Sequence, residues 1–311
     1  MAPFAAIVGL RGDKRVTDEL TFGWVSPVIG LPDSNHEPIV MYQERNILPT
    51  AFQHFDCVWL ADHFYGFADE NDPFLESWTT LTWLAAKFPS VQLCHHVMGQ
   101  GYRNPALTAK MAATLQTLSG GRFILGIGAG WRGEEFERYG YEFPSTATRI
   151  RQLEETIQIC RLMWTEESPS FEGRYYTIKD AKAPPRPDPM IPIMVGAQGE
   201  QLSLPMVGRL ADGWNTFWWP VDDWKENWTR KRDIVLKSAE EAGRDPSEIT
   251  ISVTREAALP NNTQEAEEWR EVLEQLRELG VRHFTCDFGH PTSTEPVLRF
   301  VEEVMKPMRE A

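Results

Sequence analysis

The chain has 311 residues, 42% of them hydrophobic, with a formal net charge of -14 and a pI near 5.0. The acidic balance excludes nucleic acid and anionic membrane surfaces as partners, because both select basic patches. The length is enough for two domains, but α/β barrels of this size run as one, so a single domain over 1–311 is expected.

An apolar patch at 4–10 opens the chain, but it lacks a basic flank before it and runs directly into Arg11, Asp13, Lys14 and Arg15, so it does not read as a leader. No segment approaches the length of a membrane span. A first strand is expected at 20–28, then a turn rich in Gly, Pro, Asp and Asn at 30–38 and a helix at 39–52. The second strand, 57–61, exits into Asp62-His63-Phe64. A helix at 74–87 and a third strand at 91–98 follow. Asn104 and Pro105 are a cap and first-position pair for a helix at 106–118, which Gly120-Gly121 ends.

The fourth strand, 123–127, shows no apolar/polar alternation, as expected when both faces are covered. It leaves through Gly126, Gly128 and Gly130 into Trp131. These glycines either let a ligand approach the backbone or only relieve crowding inside a barrel. A helix at 148–164 precedes a Pro/Gly-rich insertion around 165–190, with a hairpin near Gly173. Strands at 191–195, 214–218, 249–257 and 283–288 alternate with helices ending near 211 and spanning 223–242, 264–279 and 295–308. Eight strands alternating with eight helices specify a (β/α)8 TIM barrel, with a doubly wound open sheet as the alternative.

In such a barrel, reactive groups belong at the carboxyl ends of the strands. His63 is the leading catalytic candidate, since an imidazole there points across the mouth and exchanges protons near neutrality. A strand-end histidine bonded to backbone is the plain alternative. His95 and His96 are adjacent on a strand and face opposite ways, so at most one is functional. The loop Gly196, Ala197, Gln198, Gly199, Glu200 offers backbone N–H groups for a phosphate, or is an ordinary βα turn. Asp212 is a cap or turn residue, and Asn215 presents an amide. Trp24, Trp131, Trp218 and Trp219 suggest an aromatic mouth, or pack the barrel rim. Cys57, Cys94, Cys160 and Cys286 are far apart and read as reduced, buried thiols of a cytoplasmic protein. A clustered metal centre is not expected, since the first strand has no histidine. Glu134 and Glu256 facing each other would make a glycosidase, although Glu134 sits in a run that also reads as a solvated turn.

Several blocks together resemble the bacterial-luciferase-like superfamily of flavin- or deazaflavin-dependent oxidoreductases. They are Phe55-Asp56-Cys57-Val58-Trp59-Leu60-Ala61-Asp62-His63-Phe64, Tyr102-Arg103-Asn104-Pro105, Ser119-Gly120-Gly121-Arg122, Leu125-Gly126-Ile127-Gly128-Ala129-Gly130-Trp131, Pro192-Ile193-Met194-Val195-Gly196 and Ala211-Asp212-Gly213-Trp214-Asn215. The resemblance covers about 55–215, and the first 40 residues depart from it. It implies a ring-shaped cofactor at the barrel mouth, with His63 beside the ring for contact or proton transfer. It also implies a non-proline cis peptide within 94–97, cofactor contacts from Asp62, His95, His96, Gly128 and Gly130, and the cofactor phosphate on Gly196, Ala197, Gln198 and Gly199. Trp131 and Asn215 would be wall residues. The helix at 75–86 is similar to members that use coenzyme F420, which implies hydride transfer to or from a small organic substrate. FMN with a partner reductase is the alternative, and the insertion is long enough for the lid that chemistry needs. A flavin-binding barrel without turnover is a further reading, against which the intact His63 block argues. The family also implies a homodimer.

Overall fold

The computed structural model describes residues 20–27, 39–67 and 69–311. The apolar patch at 4–10 and the turn at 30–38 therefore lie outside the described residues. Eight parallel strands form a closed ring: β1 (Thr21–Val25), β2 (Cys57–Leu60), β3 (Gln92–His95), β4 (Phe123–Gly128), β5 (Ile193–Gly196), β6 (Gly213–Phe217), β7 (Thr250–Glu256) and β8 (His283–Asp287). Each pairs with the next, and β8 closes on β1 through Thr21 beside His283 and Trp24 beside Cys286. This is the expected (β/α)8 barrel rather than an open sheet.

β4 is buried along its whole length because one face meets the helical ring and the other the barrel interior. The interior holds a small apolar cluster of Val25, Cys57, Trp59, Cys94, Ile124 and Met194. Alternate residues such as Trp24, Val58, Leu93 and Leu125 belong to the larger core under the helices. All four cysteines are buried and free.

Local signals placed the helices well. The Asn104 side chain accepts from Ala106 N–H, Pro105 occupies the first turn of Pro105–Ser119, and Gly120 ends that helix at φ 69°. Ser145 caps Thr146–Thr165 by accepting from Thr148 N–H.

Three expected elements differ. The third strand is interrupted by a cis peptide between His96 and Val97, inside the expected window, and Met98–Gly99 resumes pairing beside Ile127 and Gly128. The closing helix divides into Glu295–Phe300, a wider π turn Val301–Met305, and Lys306–Glu310. Pro307 has no N–H to give the Glu303 carbonyl, which Arg270 approaches instead at 3.5 Å. The run after Trp131 is a short helix, Gly133–Arg138, rather than a solvated turn.

The insertion carries its hairpin, Phe171–Glu172 with Thr177–Ile178. Backbone N–H groups of Arg174, Tyr175 and Tyr176 donate to the Glu155 carboxylate at 2.8, 3.0 and 2.9 Å, which fastens it to the helix Thr146–Thr165. None of its residues lines the mouth cavity, so it does not form a lid in this structure.

Candidate active site

A cavity of about 920 Å³ lies at the carboxyl ends of the strands. Its central feature is His63, one step beyond Asp62 at the exit of β2. His63 Nδ1 is 2.7 Å from Glu135 Oε2, and the Glu135 side chain is fully buried. The same oxygen accepts from the Tyr102 hydroxyl at 2.8 Å. The other accepts from Phe64 N–H at 3.1 Å and from Arg132 at 3.2 Å. Burial by itself would raise the Glu135 pKa, but these donors, His63 first among them, hold it below the ordinary glutamate value.

An ionised carboxylate only accepts, so Nδ1 carries the proton and the neutral ring presents Nε2 as a base. Phe67, Phe74 and Trp131 meet the imidazole nearly edge-on, with centroids at 4.8, 6.0 and 5.7 Å. The ring is thus held by a charge on one side and aromatic walls on the others.

Asp62 has a different part from the one expected. Its carboxylate takes a bidentate pair from Arg103 at 2.8 and 3.0 Å, the Ser77 hydroxyl at 2.6 Å and Gly99 N–H at 3.1 Å. Burial opposes the charge, yet Arg103 outweighs it and keeps the carboxyl below its usual range. Although Asp62 borders the cavity, it positions the exits of β2 and β3 rather than offering a free group to a cofactor.

The two adjacent histidines do face opposite ways. His95 is fully buried against Trp78 and Phe123, at 4.6 and 5.7 Å, and does not line the cavity, which corrects its assignment as a cofactor ligand. Burial pushes its pKa down to about 4. His96 lines the cavity floor. Its Nε2 lies 2.9 Å from Thr254 Oγ1, Thr254 donates to Asn215 Oδ1 at 3.2 Å, and Asn215 Nδ2 donates to Ser252 Oγ at 2.8 Å. Thr254 has one hydroxyl proton, and it goes to Asn215. His96 is therefore the donor through Nε2–H, and Nδ1 is left as an acceptor. Burial, with a smaller contribution from His63, lowers His96 to about 4, so it is neutral at physiological pH. Asn215 acts through this network as well as lining the wall.

The floor also decides what the glycines do. A Cβ on Gly128 or Gly196 would stand 2.8 Å from Val97 Cγ2, and one on Gly126 would stand 1.9 Å from the His95 carbonyl oxygen. These three relieve crowding; they do not themselves open a path for a ligand. The flat apolar patch that results, Val97 between two glycines, suits a planar ring. Gly196→Ala is expected to destabilise the fold by about 1–3 kcal/mol through overpacking, and Val97→Ala in the same chain should recover most of it. Chemical denaturation of the two single variants and the double variant measures that coupling.

The loop Gly196, Ala197, Gln198 and Gly199 lines the cavity together with Gly128, Gly130 and Trp131. Its helix begins later than expected, at Ser203, and Gly199 N–H already donates to Ser203 Oγ at 3.0 Å. The positive charge beside the loop comes instead from Arg149, which sequence reasoning missed. Its guanidinium lies 3.8 Å over the Phe143 ring, donates to the carbonyls of Gly130 and Pro144, and has no carboxylate partner among the described residues. Apolar floor and buried cation together fit a planar cofactor with an anionic tail.

Of the four tryptophans expected at the mouth, only Trp131 lines the cavity. It is 67% exposed and stacks on Phe67 at 6.1 Å with an interplanar angle of 9°. Trp24 is buried between Phe55 and Phe288, Trp218 packs on Trp224, and Trp219 stacks outside on Phe217. Asp212 is structural: its carboxylate accepts from Ile193 N–H at 2.7 Å and pairs with Arg161. Glu256 lines the cavity, but Glu134 does not; it is bound to Arg138 on the outer face of its helix. The facing carboxylates of a glycosidase are not assembled. No group of three or more His, Cys, Asp or Glu among the described residues could hold a metal ion, and no helix there is long and apolar enough to cross a membrane.

Residues 54–302 match the family described as luciferase-like monooxygenase. An F420-dependent glucose-6-phosphate dehydrogenase of Kineococcus radiotolerans is 39% identical over 165 residues, 52% of this chain and 48% of that protein. The match thus spans about half the length of that relative. A phthiodiolone/phenolphthiodiolone dimycocerosates ketoreductase of Mycobacterium bovis is 31% identical over 285 residues, 84% of this chain and 72% of that protein. Among solved structures, an F420-dependent secondary alcohol dehydrogenase in complex with an F420-acetone adduct superposes with a TM-score of 0.79. It covers 92% of this chain and 98% of its own at 19% identity, a likeness of fold.

Proposed function

The chain belongs to the luciferase-like monooxygenase family, and from that premise we propose that it is a coenzyme F420-dependent oxidoreductase interconverting an alcohol and a carbonyl compound. The observation that carries the reading is the Glu135–His63 pair, aimed across a cavity whose apolar floor and single buried arginine suit a planar, anionic-tailed cofactor. The named activities of the relatives, F420-dependent dehydrogenation and ketone reduction, support it. When bound, F420 supplies hydride transfer.

The residues supply the proton. In alcohol oxidation His63 Nε2 takes the hydroxyl proton, and Glu135 stabilises the resulting imidazolium through a charge-assisted bond at Nδ1. In carbonyl reduction the same nitrogen returns a proton to the oxygen. Val97 and the flanking glycines would support the ring and Arg149 the anionic tail, while Phe67, Phe74 and Trp131 hold the imidazole nearly edge-on. A mouth with Phe67 and Trp131 more than half exposed suits direct transfer between two bound molecules better than chemistry that must be sealed from water. The same reading makes the protein a cytoplasmic homodimer, which light scattering on the purified chain checks.

Paired equilibrium titrations with F420 and FMN test the cofactor. Saturable binding of F420, with FMN at least tenfold weaker, is the expected result. Preference for FMN would shift the reading to oxygen-dependent chemistry with a partner reductase, and binding of neither would remove it.

A further inference from the structure

Charge is unevenly distributed around the mouth. Glu256 ends β7 and Asp287 ends β8, the two are register partners, and both line the cavity. Neighbouring strands stand about 4.8 Å apart, so the two carboxylates share one edge. Neither carboxylate pairs with a lysine or arginine among the described residues; that of Asp287 accepts from Gly289 N–H at 2.9 Å, and His290 beside it also lines the cavity. Burial raises both acids, and Asp287 adds to the effect on Glu256. Across the barrel, Arg149 is the only lysine or arginine among the described lining residues, and it is already bound to backbone carbonyls on the side assigned to the cofactor tail. Beside His63, where the reacting end of a substrate must sit, stand the stacked rings of Phe67 and Trp131.

We propose that the substrate is an alcohol or carbonyl compound that carries no anionic group and has an apolar body, received by Phe67 and Trp131, and that Glu256 and Asp287 exclude phosphorylated substrates. This rests on the F420 reading above and goes beyond it, because it separates the chain in substrate class from the glucose-6-phosphate dehydrogenases it partly matches. A phosphate entering beside these carboxylates would meet like charge, with no lysine or arginine among the described lining residues free to offset it, a juxtaposition that discriminates strongly.

The test uses the F420-loaded full chain, after a titration has established that it is loaded. Steady-state kcat/KM is compared for cyclohexanol and glucose 6-phosphate. The neutral alcohol is expected to lead by about 100-fold or more. In Glu256→Gln/Asp287→Asn, which keeps an oxygen for Gly289 N–H, the ratio of neutral to phosphorylated substrate should narrow by about tenfold. Glucose 6-phosphate used as well as cyclohexanol would overturn the inference, as would an unchanged ratio in the double variant, while F420 binding would leave the cofactor reading in place. Failure to bind F420 would instead remove that reading, and calorimetric binding of cyclohexanol against glucose 6-phosphate to the same protein then decides the charge argument directly.

Discussion

Glu135→Gln is expected to lower kcat by about 10³-fold while F420 affinity changes by less than about tenfold. The glutamine keeps the shape of the side chain but replaces one oxygen by an N–H donor group, which removes two of the four acceptor contacts. With an amide N–H facing it, the ring favours the tautomer that protonates Nε2, and the base is lost from the side of the cavity where the substrate proton lies. The imidazolium also loses its counter-charge. His63→Ala should cost a similar factor, and the double variant little more than either single one, because the two residues act as a unit. Glu134→Gln is the control: it touches only Arg138 on the outside of the same short helix and should stay within about twofold, as expected for a surface ion pair. Single-turnover reduction or oxidation of the bound cofactor, followed by absorbance, measures the chemical step apart from binding. A loss below tenfold in Glu135→Gln would mean that His63 does not need its charged partner.

Asp62→Ala is expected to destabilise the protein by about 3–5 kcal/mol, the usual cost of stranding one member of a buried ion pair. Arg103, whose side chain is 11% exposed, would keep only the partly exposed Glu76 as a partner. The Ser77 hydroxyl and Gly99 N–H would lose their acceptor at the same time. Arg103→Ala should cost at least as much, because it leaves the deeply buried Asp62 carboxylate without a cation, and the double variant less than the sum, since removing both charges leaves none stranded. The same pair sets an acid limit. Asp62 has its folded pKa depressed, so its stabilisation is fully present above the unfolded carboxyl value of about 3.9 and disappears as pH falls through the folded value. Thermal unfolding of wild type should therefore show an added loss below about pH 4 that Asp62→Ala lacks.

The contrast between Glu134 and Glu135 shows how far the sequence reaches. Both are acidic residues in the first turn of a six-residue helix, where the helix dipole accepts either. Which one turns inward depends on how that helix lies over Phe64 and Tyr102, and no pattern in six residues carries it. The buried neighbour Phe136 was the one available hint, since it marks the inner face. Trp24 and Trp131 make the same point: both follow strand patterns that end near the mouth, but one rotates into the core and the other stands in solvent.

The amino-acid sequence by itself determined the eight apolar strands, the caps at Asn104 and Gly120, the reach of the barrel, and the position of His63 at a strand exit. These depend on short-range periodicity and local backbone preference, which a linear pattern contains. Only the tertiary structure decided that Glu135 orients His63, that Asp62 is taken by Arg103, that His96 rather than His95 faces the cavity, and that Gly128 and Gly196 make room for Val97. Each of these joins residues from different strands and helices, and closing the barrel brings them within hydrogen-bond or van der Waals distance.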